Sequence, residues 1–393
     1  MAHATLRIVN RLAEVPRESW DALSPGESPF LEWDWLVALE ESGCAAAQKG
    51  WAAHHLLLEQ AGRTVAACPL YLKGNSEGEF VFDHEWAHAA QVSGLRYYPK
   101  LLVAVPFTPA TGTRLLIHPD VPAQERGAYC QTLGRALLEL ARESKLSSVH
   151  INFCLPGEAE ALAPLGYLER TGMQYHWENR GYGGFDDYLA EFRSKRRTQI
   201  KRERRELEDQ GIKVRALCGD DIGDELVPTM FRLYLGHIQK MYWGRQYLNE
   251  EFFRRVVATF RRNLCLIVAE RGGSVVAGTF NVQKGQVFYG RYWGSFEELR
   301  YLHFNVCYYE AIDHCIRAGV QRFEPGAGGD FKQLRGFDPR PTRSLHAFVH
   351  PGLHEAVGKY LERERAQMGR AIERLNEESQ LKPHADDGPA AAG

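Results

Sequence analysis

The chain contains no CxxC pair, no run of about 18 apolar residues and no basic N-terminal patch leading into an apolar stretch. The first absence leaves its eight cysteines without the spacing of a zinc knuckle or a disulfide framework, and several lie in apolar runs such as "LCLIVAE", where buried thiols belong. No metal site is expected. The other two absences remove a membrane span and a secretory leader, so a cytoplasmic protein is expected. An excess of one charge is missing too: 48 Lys and Arg against 50 Asp and Glu leave a net charge of −2, so any basic patch is local. The glycine-rich stretch "EPGAGGDFKQLRGF" (324–337) has its glycines at 326, 328, 329 and 336, which fits neither GxxxxGK[ST] nor GxGxxG. A generic phosphate cradle is thereby disfavoured there.

What is present is a repeated plan. At 393 residues the chain exceeds what one core usually fills, so two domains are expected. The first half alternates strand patterns ("ATLRIVN", "TRLLIHP", "SSVHINFC") with helical ones ("PFLEWDWLVALEESG", "AQERGAYCQTLGRALLELARES"), and carries a hairpin turned at Ala61-Gly62. The second half repeats the order. Helix "DDYLAEFRSKRRTQIKRERRELEDQ" leads to antiparallel strands turned at Gly272-Gly273 and Lys284-Gly285, then to helix "FNVCYYEAIDHCIRAG" and strand "VQRFEPG". The expected fold class is therefore α+β: two similar mixed, mostly antiparallel sheets flanked by helices, joined in glycine-rich "ENRGYGGFD". The expected domains are 1–180 and 181–350, followed by a charged helix over 351–381 and a disordered tail over 382–393.

Five segments in the same order carry a family resemblance: "SPFLEWDWLVALEESG", "FVFDHEWAHAA", "YYPKLLVAVPFTPATGTRLL", "HWENRGYGGFDDYLAEFRSKRRTQIKRERR" and "YLHFNVCYYEAIDHCIRAGVQRFEPGAGGDFKQLRGFDP". The chain resembles tandem acyltransferases of the Gcn5-related N-acetyltransferase superfamily. Within it, the chain is similar to the Fem-type peptidoglycan aminoacyltransferases and their branch of predicted N-acyltransferases in peptidoglycan biosynthesis or recognition. The resemblance implies duplicated acyltransferase folds and transfer of an activated acyl or aminoacyl group to an amine. The family pattern GAQGEHK reads "GAGGDFK" here, so Phe331 stands where relatives carry a histidine.

The resemblance places Phe331-Lys332 beside a catalytic Phe-Lys pair, and makes Lys332 the first candidate for holding an oxyanion or phosphate. Arg335 offers a planar fork for an anion. Glu324, Asp330 and His303 are candidates to accept a proton from the amine. In "GRYWGS", Arg291, Tyr292 and Trp293 end a strand next to the expected donor site. Lys100 and Arg114 occupy the matching place in the first half. The run "RSKRRTQIKRERR" has eight basic residues in thirteen, with Lys195, Arg196, Arg197 and Lys201 as candidate contacts to phosphate or RNA. The acetyl-CoA loop Arg/Gln-x-x-Gly-x-Gly/Ala is missing before either matching helix. The donor is therefore open between aminoacyl-tRNA and acyl-CoA, with no other cofactor implied, and the acceptor is an amine-bearing small molecule or peptide. A chain that keeps recognition without transfer is the alternative.

Overall fold

The computed structural model describes residues 4–23, 26, 28–241 and 244–382; residues 383–393 of the expected tail lie outside them. The strands of the first half are β1 (Ala4–Val9), β2 (Trp51–Ala53), β3 (His55–Gln60), β4 (Arg63–Cys68), β5 (Leu70–Lys73), β6 (Lys100–Val103), β7 (Leu116–Ile117), β8 (Ser148–Asn152) and β9 (Leu168–Glu178). Those of the second are β10 (Lys213–Cys218), β11 (Leu264–Arg271), β12 (Ser274–Lys284), β13 (Val287–Ser295), β14 (Arg322–Glu324) and β15 (Asp338–Phe348). The main helices are α1 (Trp33–Glu41), α2 (His84–Val92), α3 (Ala123–Glu143), α4 (Phe185–Ala190), α5 (Ser194–Glu208), α6 (Leu226–Lys240), α7 (Glu250–Phe260) and α8 (Pro351–Glu377). None of the described helices is long and apolar enough to cross a membrane.

Turn chemistry builds the second half's meander. Gly272 and Gly273 have φ of +56° and +83°, the paired positive values of the tight hairpin that matches strand twist, and β11 and β12 close around them. Asn249 starts α7 by accepting the Phe252 N–H at 3.0 Å. One expected element breaks: the helix read through "DDYLAEFRSKRRTQ" stops between α4 and α5. There Phe192 turns fully inward and bridges to Leu381, because burying that ring outweighs continuing the helix.

The two halves are laid into one sheet of eleven strands, ordered β10-β11-β12-β13-β14-β9-β15-β8-β6-β5-β2, with a four-stranded sheet β1-β3-β4-β7 beside it. In each half one strand runs parallel to an earlier one, β13 with β14 and β6 with β8, separated by a helix that crosses back. The last strand of each half then pairs with the other half: β9 lies against β14, and β15 against β8. Strands β9 and β15 also pair with each other. This reciprocal pairing is the structural signature of the duplication, in a mixed α+β fold. Aromatic packing seals the seam, with Trp35 of α1 edge-on to Phe252 at 5.2 Å and Phe30 edge-on to Tyr289 at 4.9 Å.

Candidate active site

The seam opens into a cavity of about 880 Å³. Its second-half wall comes from β12, β13, α6 and the loop after β14; its first-half wall comes from residues 76–84 and 107–109. The glycines of "GAGG" are required here: Gly326, Gly328 and Gly329 have φ of +88°, +74° and +91°, which side-chain-bearing residues rarely adopt. Across the gap, a side chain at Gly290 would meet Phe323 and Pro325 at 3.2 Å. Gly290 pairs with Asn281 where the β12–β13 register shifts, so the strand bends and opens the cavity mouth.

Under that loop lies Lys332. Its side chain is 4% exposed, its Nζ donates to the Gly326 carbonyl at 2.5 Å, and no described carboxylate pairs with it. Burial lowers its pKa to about 8. His303 borders the same cavity, edge-on to Trp293 at 5.0 Å. Burial, then the charge of Arg335, holds its pKa near 4, so it is a neutral imidazole at neutral pH. Arg291 crosses the seam to donate to the Phe107 carbonyl of the first half, with its Nε unpartnered. Phe107, at φ +58°, stacks on Tyr247 at 4.9 Å. The described N–H groups of Ala327, Gly328 and Gly329 donate to no described residue. A buried cation, a second cation and loop amides without a described partner thus border a pocket walled by aromatic rings. That set suits a ligand with an anionic or carbonyl group on an apolar or planar body.

The FemAB-like family model, described as peptidoglycan biosynthesis/recognition, matches residues 11–383. The chain belongs to the FemAB-like family. The crystal structure of FemX aligns over 91% of this chain and 100% of its own at 11% identity with a TM-score of 0.55, a likeness of fold. Two further structures align more loosely. A tandem GNAT protein from the clavulanic acid biosynthesis pathway covers 89% of this chain and 99% of its own (13% identity, TM-score 0.45). L-PGS from Bacillus licheniformis covers 93% and 100% (10% identity, TM-score 0.48). No curated protein sequence matches the chain.

In this FemAB-like fold the cavity gathers Lys332, His303, Arg291, Tyr292 and Trp293, five of the residues singled out from sequence. Others stand elsewhere. Arg335 is buried behind the loop, its Nη2 on Glu203 of α5 at 3.2 Å and its guanidinium 3.4 Å from the centre of the Phe304 ring, so it braces the loop instead of clamping a ligand. Glu324 is buried outside the cavity lining, bound by Arg322 Nε at 3.0 Å; burial raises its pKa to about 7. The side chain of Asp330 lies outside the described residues.

Lys100 is fully buried, donating to Glu79 at 2.9 Å, Ser76 at 3.1 Å and Asp83, which also accepts from Tyr97. Arg114 is 1% exposed and spends its guanidinium on the carbonyls of Ala110, Gly112, Thr113 and Asn152. Both are struts of the first half, because neighbouring carboxylates for Lys100 and backbone carbonyls for Arg114 satisfy their charge or N–H groups internally. Of the basic helix α5, Lys195 is exposed and Lys201 pairs with Asp186 at 3.3 Å, while Arg196 and Arg197 are half-buried; none lines the cavity.

Sequence reasoning missed His237, Asn281, Arg245, Tyr247 and the whole first-half wall. The segments "FVFDHEWAHAA" and "YYPKLLVAVPFTPATGTRLL" contain that wall's Phe80, Phe82, His84, Phe107 and Pro109, none of which is singled out by residue type or spacing.

Proposed function

We propose that the protein transfers an activated acyl or aminoacyl group to the amine of a peptidoglycan-precursor peptide, in the cavity between its halves. The observation that carries this reading is Lys332, a buried cation beneath a positive-φ glycine loop in a chain of the FemAB-like family. Lys332 and the loop amides hold the carbonyl oxygen as it gains charge, and the neutral imidazole of His303 takes the proton of the attacking amine directly or through water. Arg291 orients the anionic part of the donor or acceptor. The donor is aminoacyl-tRNA or acyl-CoA. Exposed basic side chains on α5, whose Glu203 grips Arg335 behind the loop, favour a nucleic-acid carrier.

The test incubates the purified protein with each donor and a muropeptide acceptor, and follows acceptor mass. Transfer from aminoacyl-tRNA, lost in Lys332→Met, supports the reading; transfer from acyl-CoA alone moves the donor assignment. Binding of the muropeptide with no transfer from either donor supports recognition without catalysis, a reading favoured by Phe331 standing where the family pattern has histidine. Neutralising Lys195, Arg196, Arg197 and Lys201 together should flatten the salt dependence of tRNA binding.

A further inference from the structure

Three residues far apart in sequence converge at the sheet edge away from the cavity lining. Cys218 ends the edge strand β10, and Cys265 sits directly opposite it on β11 in the antiparallel register. Above them lies His314, on the helical run 302–317, with its Nε2 3.9 Å from Cys218 Sγ. Each residue contributes one donor atom, and the three atoms lie within 4.8 Å of one another. None of the three lines the cavity.

We propose that Cys218, Cys265 and His314 bind a thiophilic divalent cation of the zinc type. Bonds of about 2.3 Å to sulfur and 2.0 Å to nitrogen at tetrahedral angles put donor atoms roughly 3.5–3.8 Å apart. The site therefore closes by a shift of a few tenths of an ångström at the Cys218–His314 pair and no more than about 1.3 Å elsewhere. Two thiolates neutralise a divalent charge, so the loaded site adds no net charge to a half-buried place, and their softness selects zinc over magnesium or calcium. The backbone is already held: Asn281 Nδ2 donates to the Cys265 carbonyl at 3.0 Å. Gln283 completes the set, its Oε1 lying 2.8 Å from His314 Nε2 and free to become the fourth ligand once that nitrogen binds metal. Cys218 and His314 are only half-buried, so an ion has a route in. The metal ties the edge strand to the helical run whose opposite end carries His303 and Cys307 into the cavity.

The test uses the full chain, reduced and stripped with a chelator. Titration with Zn2+ against a chromophoric competitor should give one ion per chain, and Co2+ should give a thiolate-to-metal absorption band. Gln283→Leu should weaken Zn2+ binding about 10–100-fold, and Cys218→Ser and His314→Ala should each weaken it further and diminish or shift the Co2+ band. Circular dichroism checks that each variant is folded, and Gln283→Leu serves should a ligand variant fail. Absence of stoichiometric binding, or a folded Cys218→Ser that binds as the parent does, overturns the proposal. So does a Cys218–Cys265 disulfide as the resting state of protein prepared without oxygen.

Discussion

Replacing Lys332 by methionine should make the protein both more stable and inactive. Burial lowers this lysine from 10.5 to about 8, so holding the ammonium folded at pH 7 costs about 3 kcal/mol relative to the solvated chain. Between pH 8 and 10.5 the unfolded chain binds the extra proton, so the cost is complete below 8 and is relieved as pH rises through that window. Methionine keeps the unbranched shape of the side chain to one atom short of its length and removes the charge. Urea unfolding at pH 7 should move to higher midpoint by up to about 3 kcal/mol, less what is lost with the Gly326 hydrogen bond, and the gap to the parent should shrink toward pH 10. Over the same range transfer should fall as pH rises through about 8, because the cation is the acting form. Lys332→Arg should shift that limb upward, and Lys332→Met should lose about 10²–10³ in rate. The reasoning is refuted if Lys332→Met is less stable than the parent at every pH, or if transfer rises through 8, which would make the neutral amine a base.

Glu203→Leu leaves the Arg335 guanidinium buried without its carboxylate and should cost about 3–5 kcal/mol in urea unfolding, part of which Glu203→Leu with Arg335→Met recovers. Lys100→Met should cost a similar amount, about 3–5 kcal/mol in urea unfolding, by stranding Asp83 and Glu79. Gly294→Ala would place a methyl carbon 2.0 Å from the Leu233 carbonyl. It should lower the melting temperature and, by pushing α6 off β13, distort the wall that holds Tyr234 and His237.

Much of the fold was readable from local rules. Paired glycines at 272–273 name a hairpin whatever surrounds them, and the strand, helix and strand order of each half survives as a repeat. The candidate site was readable where it depends on local backbone: a run of glycines just before a lysine, and a strand end before a helix. The rest depends on partners distant in the chain. Lys332 and Arg335 carry the same charge three residues apart on a 3-10 turn over Asp330–Arg335, a spacing that starts them from one side, yet Lys332 bonds the Gly326 carbonyl at the cavity and Arg335 reaches Glu203, a division made by their tertiary partners. Lys100 and Arg114 read as substrate contacts because the groups that absorb them become visible only when the chain has folded.

The amino-acid sequence alone determined the doubled plan, the turn positions and the family-like motifs, since each rests on short-range geometry that neighbouring residues impose. Only the tertiary structure decided that β9 and β15 change places between the halves, that the seam opens into a cavity, and that Cys218, Cys265 and His314 come together at the sheet edge. Those features come from pairings between residues tens to hundreds of positions apart, where many alternatives satisfy the same alternation of polar and apolar side chains. Burial and packing of the whole chain select one of them.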